Sequence, residues 1–267
     1  MKLSFMSFSC PEATLDEFLG YAKKHGYEGV EPRAEAEHNH GVEIEADAAK
    51  RAEIKKRFED EGVAVACVAT SRKYALADKA ERDESIERTR QYVDLAADIG
   101  GDKLRVFGGK PPEGMSTEDA IKIVGESLAE VAPRAEERKV HVCLETHDGF
   151  MLATDCAAAI KIADSPYIAA NWDIMHPYTK GMTIDEAHDA LKGLIQHCHI
   201  HDGVYAEKGK GPKLAMMGEG EIPYPRAIEL LEEDGYEGYL SGEWIKAWTP
   251  DEILPHDAEK LRSYMKK

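Results

Sequence analysis

Three short apolar runs carry most of the information about the fold: HVCLETH (141–147), IAANWDI (168–174) and IQHCHIH (195–201). Segments with helical periodicity separate them, and each run ends in carboxylate or imidazole side chains. Apolar runs of this length, rich in β-branched and aromatic residues, are typical of strands buried on both faces of a parallel sheet. The order strand–helix–strand–helix–strand therefore predicts a parallel sheet covered by helices.

Further runs of the same kind extend this pattern to eight strands. We expect them at residues 2–8, 29–34, 63–69, 103–109, 141–147, 168–174, 195–201 and 239–245. Eight strand–helix units in a chain of 267 residues predict an α/β fold, a closed (β/α)8 or TIM barrel, formed by residues 1–267 as one domain. No GxGxxG motif follows the first run, which argues against a dinucleotide-binding sheet.

The helix starts carry capping boxes, in which a hydroxyl accepts from an early helix N–H and a glutamate reaches back to the backbone. This pattern occurs at Thr14-x-x-Glu17, Thr183-x-x-Glu186 and Thr249-x-x-Glu252. Glycines that end helices stand shortly before three of the expected strands, at Gly26, Gly62 and Gly235. These signals support the strand–helix alternation independently of the apolar pattern.

Composition excludes several classes of partner. The chain has 34 Lys and Arg against 51 Asp and Glu, a net charge of −17, which should repel nucleic acid and anionic lipid. No run approaches the roughly 18 apolar residues of a membrane span, and the N-terminus lacks the apolar run of a signal peptide. We therefore expect no nucleic acid and no membrane partner, a cytoplasmic location, and five cysteines that are buried reduced thiols.

Four polar residues close successive expected strands: Glu145, Asp173, His199 and Glu243. Taken singly, each is more often a helix cap, an ion-pair partner or a hydrogen-bonded core residue than a metal ligand. Because the carboxyl ends of barrel strands converge on one face, all four side chains are expected to meet. Three carboxylates and one imidazole suit one divalent metal, Mn²⁺ or Mg²⁺ before Zn²⁺, Co²⁺ or Fe²⁺.

The motifs around these residues resemble the sugar phosphate isomerase/epimerase family, the xylose isomerase-like barrels. The resemblance covers nearly the whole chain and rests on GYEGVE (26–31), LETHDG (144–149), NWDIMHP (171–177), HCHIHDG (197–203), GEGEIPY (218–224) and GYLSGEW (238–244). It implies that Glu145, Asp173, His199 and Glu243 bind the metal. It also implies that Glu145 and Glu243 act as general acid and base.

This resemblance implies a metal-dependent isomerase or epimerase of a sugar, a keto-sugar or a cyclitol. The reaction removes a proton from carbon beside a carbonyl, and a metal stabilises the enediolate that results. Family barrels often pair, so the sequence also predicts a homodimer and a small sugar substrate.

Further residues are candidate substrate contacts. In family epimerases a histidine at the position of His176 contacts a substrate oxygen; the alternative is a histidine that caps a turn. His201 stands where the family usually has lysine, either as a substrate contact or as a neutral substitution at the rim. Arg105 and Arg33 end two strands, and each either holds a substrate oxygen or phosphate or pairs with a barrel acid such as Glu31.

Lys246 follows Glu243 closely and either reaches the substrate pocket or lies on the surface.

Three other functions compete with this interpretation. Dehydratases of the inosose and dehydroshikimate type resemble the same family and begin with the same proton abstraction. Endonuclease IV shares the barrel but uses three zinc ions, with extra histidines on strands three and four that CVATSRKY (67–74) and RVFGGKPP (105–112) lack. A sugar-binding barrel without catalysis is the third, although all four ligand residues are present.

Overall fold

The computed structural model describes residues 1–204, 213–245 and 247–266. Its strands are β1 (Lys2–Phe5), β2 (Gly29–Val30), β3 (Ala64–Val65), β4 (Val68–Ala69), β5 (Lys103–Phe107), β6 (His141–Glu145), β7 (Ile168–Asp173), β8 (Ile195–Ile200), β9 (Asp202–Val204), β10 (Lys213–Ala215) and β11 (Tyr239–Gly242). Its α-helices are α1 (Leu15–His25), α2 (Ala48–Glu61), α3 (Lys79–Asp98), α4 (Thr117–Arg138), α5 (Ala153–Ala163), α6 (Met175–Thr179), α7 (Ile184–Leu191), α8 (Tyr224–Glu233) and α9 (Pro250–Tyr264).

The parallel strands close into a ring. Seven of them form one sheet in the order β1-β11-β8-β7-β6-β5-β4, and β2 pairs with β3. The gap between β1 and β2 is bridged by the Glu31 N–H, which donates to the Phe5 carbonyl at 2.8 Å, and the Ala69 N–H donates to the Pro32 carbonyl at 3.0 Å. Because β3 and β4 are two halves of one interrupted strand, the ring has eight members, as the sequence predicts.

The strands end earlier than the apolar runs predict. The strand expected at residues 239–245 is β11, which stops at Gly242. The strand expected at residues 29–34 is reduced to β2, Gly29–Val30, with isolated bridges at Glu31 and Arg33. The tail of the first run forms a 3-10 turn, Ser7–Ser9, in which the Ser7 carbonyl accepts from the Cys10 N–H at 3.1 Å, while the Ser7 hydroxyl accepts from the Arg33 N–H at 2.9 Å. Polar side chains at the mouth of the barrel therefore belong to strand ends and loops together.

The helix boundaries follow the capping signals. At Thr14 the hydroxyl accepts from the Glu17 N–H at 3.4 Å and the Glu17 carboxylate accepts from the Thr14 N–H at 2.8 Å. Gly26 and Gly62 close α1 and α2 with φ of 74° and 65°, a left-handed conformation that glycine adopts without steric penalty. Reciprocal boxes also stand at Thr183 and Thr249.

An apolar layer between the ring and the helices forms the core, and its largest side chains include Trp172, Trp244, Phe5 and Phe18. All five cysteines are free and buried, as expected. Among the described residues, no helix is long and apolar enough to cross a membrane.

Candidate active site

Four residues from four parallel strands meet at the carboxyl end of the barrel. Glu145 and Asp173 are the last residues of β6 and β7, His199 lies in β8, and Glu243 directly follows β11. One ligand atom from each lies within 4.8 Å of the others, and all four side chains are buried. The structure therefore brings together the four residues that the sequence singled out.

The chemistry of these donors fits a divalent cation. Three carboxylates with so little separation repel one another, and burial removes the water that would screen them. One oxygen of the group, Glu145 Oε2, is buried and makes no hydrogen bond among the described residues, although Arg105 Nε lies 3.2 Å from it. A site of carboxylate oxygens and one imidazole nitrogen accommodates Mn²⁺, Mg²⁺ or Zn²⁺.

The imidazole of His199 is held with a defined orientation. Its Nδ1 lies 2.9 Å from Glu145 Oε1 and 3.3 Å from Glu243 Oε2, so this nitrogen faces the other donors. Its Nε2 lies 3.0 Å from Glu31 Oε1. Burial alone would lower the pKa of His199, but the carboxylates of Glu31 and Glu145 outweigh it and raise that pKa well above its usual value.

Glu31 connects three strands beneath the site. Its Oε2 lies 2.8 Å from His197 Nε2 and accepts a hydrogen bond from the Ser241 hydroxyl at 2.6 Å. Burial would raise the pKa of Glu31, yet His199 and His197 hold it well below its usual range. A carboxylate on the distal nitrogen of a ligand histidine fixes its ring and tautomer, and Glu31 is placed to do this for His199.

Asp173 is held equally closely. Its Oδ1 accepts from the backbone N–H groups of Met175 at 2.9 Å and His176 at 3.1 Å, so it caps the start of α6. Its Oδ2 lies 2.7 Å from His201 Nε2. The Thr146 hydroxyl accepts from the Asp173 N–H at 2.9 Å. Oδ1 therefore faces backbone donors, whereas Oδ2 faces the imidazole of His201.

Three imidazoles cover the Asp173 side of the site. The ring centroid of His176 lies 4.5 Å from that of His147 and 5.4 Å from that of His201. Sequence reasoning picked out His176 and His201 but missed His147. The strand period could have found it, because His147 stands two residues after Glu145 and so belongs to the same face.

The basic candidates have different surroundings. Arg105 Nε lies 3.2 Å from Glu145 Oε2, and its Nη1 donates to the Thr70 carbonyl at 2.6 Å, so Arg105 is paired with a barrel acid. Arg33 is also buried, but no carboxylate of the described residues lies within the 4.0 Å of an ion pair. Lys246 lies outside the described residues, and its placement in the substrate pocket stays a prediction.

Known proteins with similar sequences include sugar epimerases and dehydratases. The chain is 23% identical to fructoselysine 3-epimerase of Shigella flexneri over 175 residues, which are 64% of this chain and 62% of the epimerase. It is 21% identical to 3-dehydroshikimate dehydratase of Bacillus anthracis over 181 residues, which are 62% of this chain and 64% of the dehydratase. The chain thus spans somewhat less than two thirds of either relative.

Structural similarity extends over the whole chain. The crystal structure of the IOLI protein with a bound zinc atom has a TM-score of 0.85 and 17% sequence identity, and the match covers 100% of both chains. The sequence model that describes xylose isomerase-like TIM barrels matches residues 19–264. This chain belongs to the xylose isomerase-like TIM barrel family.

Proposed function

We propose that this chain is a divalent-metal-dependent enzyme that isomerises or epimerises a sugar by moving a proton on carbon beside a carbonyl group. One observation carries the proposal: two buried carboxylates from different strands, Glu145 and Glu243, flank the same imidazole nitrogen, 2.9 and 3.3 Å from His199 Nδ1. Two carboxylates that approach one small site from β6 and β11 can serve opposite faces of a bound substrate. The similarity to fructoselysine 3-epimerase supports the same chemistry.

Glu145, Asp173, His199 and Glu243 would hold the metal. When bound, it would polarise the substrate carbonyl and acidify the neighbouring C–H group. Mn²⁺ or Mg²⁺ is the cation we propose first, and the zinc atom in the similar IOLI structure supports a divalent ion. That the chain forms a homodimer stays a prediction.

The proton-transfer roles fall to Glu145 and Glu243. Burial would raise the pKa of Glu243, but the hydrogen bond and charge of His199 outweigh burial and hold that pKa below its usual range, so the side chain is ionised at neutral pH. Arg105, 3.2 Å from Glu145 Oε2, holds the second carboxylate in place. One carboxylate would take the proton and the other would return a proton from the opposite side.

His176 and His201 would bind the substrate's oxygens. Both rings lie beside Asp173, with His201 Nε2 2.7 Å and His176 Nε2 3.7 Å from Oδ2. Because His201 already contacts this ligand carboxylate, it would also position Asp173, a role that the family's usual lysine would fill with a longer side chain.

A dehydratase is the second candidate, favoured by the similarity to 3-dehydroshikimate dehydratase. Its reaction begins with the same removal of a proton beside a carbonyl and ends with loss of water. The two functions therefore differ in product rather than in the first step.

Solvent proton exchange tests the proposal. The Mn²⁺-loaded protein is incubated in deuterated water with a panel of ketoses, aldoses and cyclitol ketones, and deuterium incorporation is followed by NMR. We expect exchange at a carbon beside the carbonyl, and we expect Glu145→Gln and Glu243→Gln to abolish it while Glu113→Gln, at an exposed loop position, does not. An epimer that carries deuterium at the reacting carbon and has lost no water indicates an epimerase, whereas loss of water with a new near-ultraviolet absorbance indicates a dehydratase. Absence of exchange for every compound would contradict both.

A further inference from the structure

A buried cation with no carboxylate of the described residues within ion-pair distance lies at the mouth of the barrel. Arg33, just beyond β2, is 7% exposed. Its guanidinium donates to the Ala34 carbonyl and the Ser71 hydroxyl, and its Nε is buried without a hydrogen-bond partner. Both acceptors are neutral. Of the two buried arginines in the described part of the chain, Arg105 has a carboxylate partner and Arg33 has none.

This arrangement is unfavourable for the protein alone. A guanidinium that leaves water without gaining a carboxylate loses hydration that neutral acceptors only partly replace. Burial, followed by repulsion from Arg105, lowers the pKa of Arg33 to about 10. Arginines held in this way in a cleft are suited to bind anions, because the guanidinium offers planar, paired donors to carboxylate or phosphate oxygens.

The location of Arg33 connects it with the candidate active site. Its backbone N–H donates to the Ser7 hydroxyl at 2.9 Å and its Cα pairs with Ala69, so the residue is anchored where three strands end. The guanidinium carbon lies 5.9 Å from the ring centroid of Phe8, in the loop after β1. The charges of Glu35, Glu243 and Glu145 also act on Arg33, that of Glu35 most strongly, although none of these carboxylates comes within ion-pair distance.

We propose that Arg33 binds an anionic group of the substrate, a carboxylate or a phosphate, so that the enzyme acts on a charged sugar rather than a neutral one. The inference rests on the proposed function, since it names the substrate class of the same site. Arg105 adds positive charge nearby while it remains paired with Glu145. In a chain with a net charge of −17, a local cationic site reduces the repulsion that an anionic substrate meets.

Matched sugars test this inference. Binding of D-fructose, D-fructose 6-phosphate and D-fructuronate to the Mn²⁺-loaded protein is measured by calorimetry, and the series is repeated with other neutral ketoses and their phosphate and carboxylate derivatives. We expect at least one charged compound to bind about 10- to 100-fold more tightly than its neutral counterpart, the range for hydrogen bonds to a charged group. A preference confined to phosphates or to carboxylates identifies which anion the site takes.

Variants assign that preference to Arg33. Arg33→Gln should remove this preference by weakening the binding of the charged sugar far more than that of its neutral counterpart, whereas Arg51→Gln should keep it, because Arg51 pairs with Asp98 on the helices. Arg33→Lys keeps the charge and should retain part of the preference, and it decides the matter if the Gln variant does not fold.

Two results would overturn the inference: no charged compound binds more tightly than its neutral counterpart, or the preference survives Arg33→Gln. Neither depends on catalysis. If neutral ketoses exchange a proton with solvent and no charged sugar binds more tightly than its neutral counterpart, this inference alone is refuted. A preference for anions without any exchange would refute only the proposed function.

Discussion

Replacing Glu31 by Gln should weaken metal binding although Glu31 is not itself a proposed ligand. Glu31 Oε1 lies 3.0 Å from His199 Nε2, while Oε2 bonds to His197 and Ser241. The amide of glutamine is neutral, and its NH2 group must take the place of one of the two carboxylate oxygens that now face His199, His197 and Ser241. The anionic partner that orients the His199 ring and raises its basicity is therefore lost.

The size of this effect follows from the kind of contact. Loss of a carboxylate behind a ligand histidine typically reduces metal affinity 10- to 100-fold, which is about 1.4–2.7 kcal/mol. Ser241→Ala removes a single hydrogen bond to Glu31, so we expect a smaller loss, roughly 3- to 10-fold, in line with about 0.5–1.5 kcal/mol for a net hydrogen bond.

The assay is competition for Mn²⁺ against a chelator of known affinity, with circular dichroism of the metal-free variants as a check on folding. Glu45→Gln, at an exposed position after β2, serves as the control and should bind metal like the wild type. A folded Glu31→Gln protein with wild-type metal affinity would refute the role assigned to Glu31.

Three further predictions concern stability and reactivity. Burial raises the pKa of Asp257 to about 6 from 3.8, so this carboxyl stabilises the folded state below about pH 4, and that contribution, up to roughly 3 kcal/mol, is lost as the pH rises through 6. In urea titrations at pH 4 and pH 7, Asp257→Asn should reduce the difference in the free energy of unfolding between the two pH values. An unchanged difference would contradict this prediction. Asp202 is buried, and its carboxylate accepts from the backbone N–H groups of Gly203, Gly218, Gly220 and Ile222. In urea denaturation, Asp202→Ala should therefore lower the free energy of unfolding by about 2–4 kcal/mol. A loss under about 1 kcal/mol would refute this anchoring role. Burial raises the pKa of Cys10 and Cys143 to about 12, and all five thiols are buried. A thiol-reactive aromatic disulfide at about pH 8 should therefore label no cysteine in the native protein and all five after denaturation. Fast labelling of a cysteine in the native protein would contradict this prediction and show that the core opens.

The metal-site residues could be predicted from the sequence because their meeting depends only on topology. Once eight strands alternate with helices, their carboxyl ends share one face, and polar residues that close apolar runs must converge there. The capping boxes at Thr14 and Thr183 were equally visible, because a cap is a local contact between residues three apart.

Other parts of the site depend on geometry across the barrel. Glu31 and His199 are distant in sequence, and only ring closure and side-chain rotamers bring Glu31 Oε1 to His199 Nε2. An arginine at a strand end can form an ion pair only with residues distant in sequence, so its pairing cannot be read from the local pattern. Arg105 lies close to the Glu145 carboxylate, whereas Arg33 donates only to neutral acceptors. The early ends of the strands arise because side chains at the mouth, such as the Ser7 hydroxyl, take over backbone hydrogen bonds.

Anomalous diffraction from crystals grown with Mn²⁺ tests the central claim most directly. The account predicts one ion per chain, about 2.0–2.3 Å from a carboxylate oxygen of Glu145, Asp173 and Glu243 and from His199 Nδ1, with Glu31 still on the opposite ring nitrogen. An ion elsewhere in the barrel, a cluster of three ions, or coordination through His199 Nε2 would contradict it.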